Sequence, residues 1–89
     1  MVDLNKTTNF VTEMIDYQNI AKRYADEHGC DIVLPSTAER NGHRYFYLNR
    51  TVRPRYMGHP HIIKISPSGK VQRVLDIDEI YWAFNRVID

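Results

Sequence analysis

Any chemistry in this chain has to come from one thiol, four imidazoles and a run of cations interleaved with tyrosines. Cys30 beside a histidine could form a thiolate nucleophile, yet a lone cysteine where a strand begins reads as a small packing residue. His59-Pro60-His61, with His43 as a third ligand, has the residue types of a zinc site. No carboxylate lies near them in sequence to orient an imidazole, and Pro60 argues for loop geometry, so no metal is expected. The glycines, Gly29, Gly42, Gly58 and Gly69, are too far apart to cradle a phosphate. Neither an enzyme nor a cofactor is expected.

The cations make the stronger case. From Arg40 to Leu75 there is no Asp or Glu, while the same stretch holds Arg40, Arg44, Arg50, Arg53, Arg55, Lys64, Lys70 and Arg73. All 11 carboxylates lie outside it, so a net charge of +1 hides a basic middle between acidic ends. Phosphate binding needs clustered cations, and base stacking needs exposed aromatic faces between them. Arg50, Arg53, Arg55, Lys64 and Lys70 are the candidate phosphate contacts, and Tyr45, Tyr47 and Tyr56 the candidate stacking residues.

These side chains must be positioned by elements that the pattern predicts. Phe10, Met14, Tyr17, Ala21, Tyr24 and His28 recur at steps of three and four, which predicts a helix from Asn9, its N-cap, to His28, stopped by Gly29. Cys30–Leu34 reads as a short strand ended or pushed to an edge by Pro35. Asn41-Gly42 is a two-residue hairpin signal, followed by a strand at His43–Asn49. A strict turn there would set Pro35 against Leu48, so either the loop is longer or the hairpin bends near Pro35.

Arg50–Pro60 is a loop. Pro67-Ser68-Gly69 is a three-residue turn that pairs Ile65 with Val71. His61, Ile63, Ile65, Val71, Arg73 and Leu75 then share the expected core face, with Ile62, Lys64, Gln72 and Val74 opposite. Asp76-Ile77-Asp78-Glu79 has the spacing of a capping box. It opens a last helix whose stripe is Ile77, Ile80, Tyr81, Phe84, Val87 and Ile88, leaving Trp82 on the polar side.

The expected fold is therefore α+β, in the order α-β-β-β-β-α. Both helices are expected on one face of a four-stranded antiparallel sheet, with Tyr45, Tyr47 and Lys64 on the open face. The order resembles that of the double-stranded-RNA-binding domain. That family's Lys-rich start of the last helix is replaced by Asp76-Ile77-Asp78-Glu79, and no residue is carried over.

At 89 residues, 43% hydrophobic and 26% charged, the chain is one folded domain, residues 1–8 being a loosely packed segment ahead of it. A single cysteine excludes an internal disulfide and points to a reducing, cytoplasmic setting. Nothing suggests a signal peptide or membrane span. The expected function is a non-enzymatic binding domain for nucleic acid or another polyanion. The alternative is a protein-interaction or homodimerisation module using Trp82, Tyr45 and Tyr47.

Overall fold

The computed structural model describes residues 15–51 and 58–88. Its elements are α1 (Tyr17–Glu27), β1 (Ile32–Arg40), β2 (His43–Asn49), β3 (His61–Ile65), β4 (Val71–Arg73) and α2 (Ile77–Phe84). The strands form one antiparallel sheet in the order β1-β2-β3-β4, so the α+β class and the element order are as the sequence predicts.

The expected start of the first helix is not observed. Ile15 and Asp16 are non-helical, and the Asp16 side chain accepts from the Asn19 N–H at 3.1 Å as the N-cap of α1. Asp competes for backbone donors in this way, which sets a boundary inside an otherwise continuous amphipathic pattern. Asn9, Phe10, Met14 and the segment 1–8 lie outside the described residues.

The helices do not share a face of the sheet. Ala21 and Ala25 of α1 pack with Cys30, Phe46, Leu48, Ile63 and Ile65. Ile80 and Ala83 of α2 pack with Ala38, Tyr45, Ile62 and Val74. Phe46 and Leu48 alternate with Tyr45 and Tyr47, so these are opposite faces of β2. The sheet is the middle layer of three, and the expected open face is a second core. Each large apolar side chain buried there contributes about 1.5–3 kcal/mol, which is why neither face is left to water.

Asn41 and Gly42 have φ of 56° and 79°, a two-residue turn that pairs Arg40 with His43. Between Pro35↔Phe46 and Glu39↔Arg44, β1 advances four residues while β2 advances two. The turn is thus tight and the hairpin is bent, the second of the two arrangements the sequence allowed. β1 continues through Pro35 because it is an edge strand, where a missing N–H costs no ladder bond.

The chain end fills the bend. The Ile88 N–H donates to the Pro35 carbonyl at 2.8 Å and the Thr37 N–H to the Arg86 carbonyl at 2.8 Å, around a bridge between Ser36 and Val87. The Ser36 hydroxyl donates to the Ala83 carbonyl at 2.7 Å and accepts from the Ala38 N–H at 3.1 Å.

At the other edge, Gly69, with φ of 90°, closes the turn that pairs Ile65 with Val71, as expected. β4 ends at Arg73, and its next residue, Val74, enters the α2-side core. Leu75, expected in the core, is 78% exposed.

Ser36 is the tie between the bend and α2. Ser36→Ala removes two hydrogen bonds and should cost about 1–3 kcal/mol at roughly 0.5–1.5 kcal/mol each. Thr37→Ala, at an exposed position whose hydroxyl makes one 3.3 Å bond, should cost less. Urea unfolding of the two variants checks the order.

Candidate nucleic-acid interface

Tyr45 does not lie on an open face. It is 1% exposed beneath α2, and its hydroxyl donates to Glu79 Oε2 at 2.6 Å. Burial, with Glu79 beside it, pushes the phenol's pKa up, so the hydroxyl stays protonated and keeps donating. Lys64 Nζ reaches the same oxygen at 3.0 Å. Burial raises the Glu79 pKa, but the bonds from Tyr45 and Lys64 outweigh it and hold the carboxylate below its ordinary value. Tyr47 is half-buried against Phe84, ring centroids 5.2 Å apart, and its hydroxyl accepts from Asn49 Nδ2 at 2.7 Å. Three of the candidate contacts are therefore structural, because α2 covers the face on which they were expected to be open.

Trp82 is half-buried rather than on a free polar side. Its ring meets Tyr45 edge-on at 5.2 Å, and the guanidiniums of Arg40 and Arg86 lie 4.2 and 5.4 Å from its centroid. Arg86 Nη1 also donates to the Trp82 carbonyl at 2.8 Å, satisfying a carbonyl of the last helical turn. The buried face of α2 is turned by about one residue position, roughly 100°, from the predicted stripe. Glu79, Ile80, Trp82 and Ala83 face the sheet, while Ile77 and Tyr81 are 52% and 38% exposed. An interaction surface built on Trp82 or on an open sheet face has lost its anchors to the interior.

The remaining candidates separate to the two ends of the sheet. Lys70 is exposed at the β3–β4 turn, where the Gly42 Cα and Pro67 ring bring the two hairpin tips together. Arg50 leaves the far end of β2, its N–H donating to Asn49 Oδ1 at 2.8 Å. The base of that loop is fixed by Asp31, whose carboxylate accepts from the Thr51 N–H at 2.8 Å and from the Thr51 hydroxyl. Those bonds hold the Asp31 pKa below its ordinary value. Arg53, Arg55 and Tyr56 lie outside the described residues.

The loop end holds a group that sequence reasoning did not assemble. His61 is 2% exposed at the start of β3, opposite Leu48, with Tyr24 edge-on at 6.3 Å. Burial pushes its pKa down to about 4, and the positive charges of Arg73, His28 and Arg50 act in the same direction. The hairpin register supplied one signal, since pairing Ile65 with Val71 also sets Arg73 beside Ile63, two residues from His61. His28 comes from the end of α1, and its ring stacks on Tyr24 with centroids 3.9 Å apart; nothing local in the sequence links it to β3.

The histidines are not arranged as metal ligands. His59 precedes β3 and shares a 3.1 Å hydrogen bond with the Tyr81 hydroxyl on the α2 side, whereas His61 faces α1. His43 is at the opposite end of β2, five residues or roughly 17 Å from Leu48. Among the described residues no group of three His, Cys, Asp or Glu could hold an ion. Nor is any helix among them long and apolar enough to cross a membrane.

Two predictions follow from these environments. Tyr45→Phe removes a hydrogen bond to a charged group and should cost about 1.5–3 kcal/mol in urea unfolding. For His61, the folded-state pKa lies below the ordinary 6.5, so the unfolded chain binds a proton that the folded chain refuses. The stabilisation is complete above pH 6.5 and is lost as pH falls towards about 4. Asp31 and Glu79, also depressed, act only below their ordinary values of 3.8 and 4.5. The urea midpoint should therefore fall between about pH 6.5 and 4.5 in the native chain and stay nearly flat there in His61→Leu.

Compared with family models, with curated proteins and with solved structures, the chain matches none of them.

Proposed function

We propose that this chain is a non-enzymatic, cytoplasmic binding domain whose loop end engages a polyanion, with nucleic acid as the partner. The observation that carries this reading is geometric: Arg50 follows the end of β2 and Arg73 ends β4, on either side of His61 at the start of β3, so two guanidinium-bearing residues share one end of the sheet. Clustered cations at one end of a sheet attract phosphates before any specific contact forms. Arg50 opens a segment that adds Arg53 and Arg55 as further phosphate contacts and Tyr56 as a stacking residue. Thr51, bonded to Asp31, fixes the base from which that segment leaves. Tyr45, Tyr47 and Lys64 support the fold and take no part in the contact, and Lys70 belongs to the opposite end. The cytoplasmic setting rests on the single cysteine, Cys30, which is buried and in no disulfide.

The test is a titration with labelled single-stranded and duplex oligonucleotides at several salt concentrations. Arg53→Ala/Arg55→Ala should weaken binding and lower the salt slope by about 2, about 1 for each lost phosphate contact. Tyr45→Phe should leave affinity unchanged where the protein is folded. An unchanged slope in the arginine variant removes both residues from the site, and no binding at low salt overturns the reading.

A further inference from the structure

We propose that a second copy of this chain docks on the apolar patch formed by Leu75, Ile77 and Tyr81, in a two-fold dimer that sets Arg73 of each copy against Asp78 of the other. The proposal shares Arg73 with the polyanion reading but not its partner, and association measured without nucleic acid tests it alone.

The patch follows from the way the chain leaves the sheet. The Val74 N–H still donates to the Ile62 carbonyl at 2.9 Å, and the Val74 side chain is buried in the α2-side core. Alternation then turns Leu75 outward, and the extended Asp76 that caps α2 holds it there. Leu75 is 78% exposed and Ile77 52% exposed. Tyr81, 38% exposed, lies one helical turn beyond Ile77 on the same side of α2. The patch is continuous. The Tyr81 ring meets His59 edge-on at 5.6 Å, and His59 and Leu75 both line an open depression of about 330 Å³ with Pro60, Val74 and Ile80. Single exposed apolar residues need no explanation; Leu75 in the depression, Tyr81 joined to it through His59, and Ile77 one turn before Tyr81 make a larger docking surface.

The charges beside the patch select its occupant. In sequence Arg73, which itself lines that depression, comes two residues before Leu75 and Asp78 three after it, and both are exposed. Neither forms an ion pair among the described residues. An isologous contact pairs residue i with j and j with i, so opposite charges flanking an apolar centre are complementary to themselves. With Leu75 near the axis, the two copies run antiparallel through this segment, Leu75 meets Leu75, and each Arg73 approaches the opposite Asp78. The same Asp76 and Asp78 would repel an anionic lipid surface or a nucleic acid. β4 itself is short and bordered by Lys70 and Arg73, which discourages strand-to-strand pairing. The contact is therefore made by side chains beyond the strand. A patch of this size is at the low end of specific interfaces, so association is weak and reversible.

Sedimentation velocity without nucleic acid tests this from about 1 μM to about 1 mM, the range in which a small interface associates. The wild-type chain should show a concentration-dependent monomer–dimer equilibrium. Arg73→Asp and Asp78→Arg should each raise the dissociation constant at least about tenfold, because each places like charges across the axis twice. Mixing the two variants in equal amounts should restore dimerisation, since both contacts in the mixed pair join opposite charges. Leu75→Ser should weaken the dimer without rescue by either variant. Trp82 emission identical to wild type in each variant establishes that it is folded. A wild-type chain that stays monomeric throughout overturns the proposal. So do folded charge variants that dimerise as wild type, or a mixture that dimerises no better than its components.

Discussion

Glu79 is the residue on which the arrangement of layers turns. Its carboxylate receives both Tyr45 and Lys64 from the sheet, on adjacent strands β2 and β3, and so joins α2 to the face opposite α1. Taken separately, a buried phenol, a half-buried ammonium and a carboxylate would each lose hydration on folding. Together they satisfy one another, and the charge assists both hydrogen bonds. Asp76 makes this possible by capping the helix alone, accepting from the Glu79 N–H at 2.9 Å. The Glu79 side chain does not return to close a capping box and is free to point into the layer below.

Once α2 is fixed in that orientation, the rest of the α2 side follows. The face bearing Glu79, Ile80, Trp82 and Ala83 is inward, which puts the Trp82 ring against Tyr45 and within reach of Arg40. The chain leaving the helix arrives beside β1 at the point where the strand bends. There the backbone of Arg86 and Ile88 pairs with Thr37 and Pro35. The bend and the chain end thus solve one another's problem: the irregular strand offers groups that β2 cannot reach, and the terminal segment supplies the missing partners.

Local chemistry was legible. The Asn41-Gly42 turn, the Ile65↔Val71 register, the Asp76 cap and the limits of β2 each depend on a few adjacent residues, and each is found where the sequence puts it. The layer assignment was missed although a signal for it existed. Tyr45-Phe46-Tyr47-Leu48 and Ile62-Ile63 are continuous apolar runs, the pattern of strands covered on both faces. Placing Tyr45 and Tyr47 on an open face took their alternation with Phe46 and Leu48 for an in–out pattern, whereas it separates two covered faces. The rotation of α2 had no local signal, because in an eight-residue helix the stripe is short and one bond to Glu79 decides the face. The expected polyanion contacts were affected in the same way: Tyr45, Tyr47 and Lys64 are taken up by the fold, while Arg73 comes to the His61 end only through strand pairing.

The two faces of the basic middle therefore have different fates for a single physical reason. Lys64, on the central strand β3, ends beneath a helix, where Glu79 neutralises it. At the strand end Arg73 is exposed, and it makes no ion pair among the described residues. Among the described residues the three-layer fold is covered by α1 and α2, of 11 and 8 residues. Its helices cannot reach the end of β4, and Leu75 and Ile77 remain outside both cores. Apolar surface is thus left exposed beside that end of the sheet. A small domain of this kind gains most from association at the place where its own layers run out.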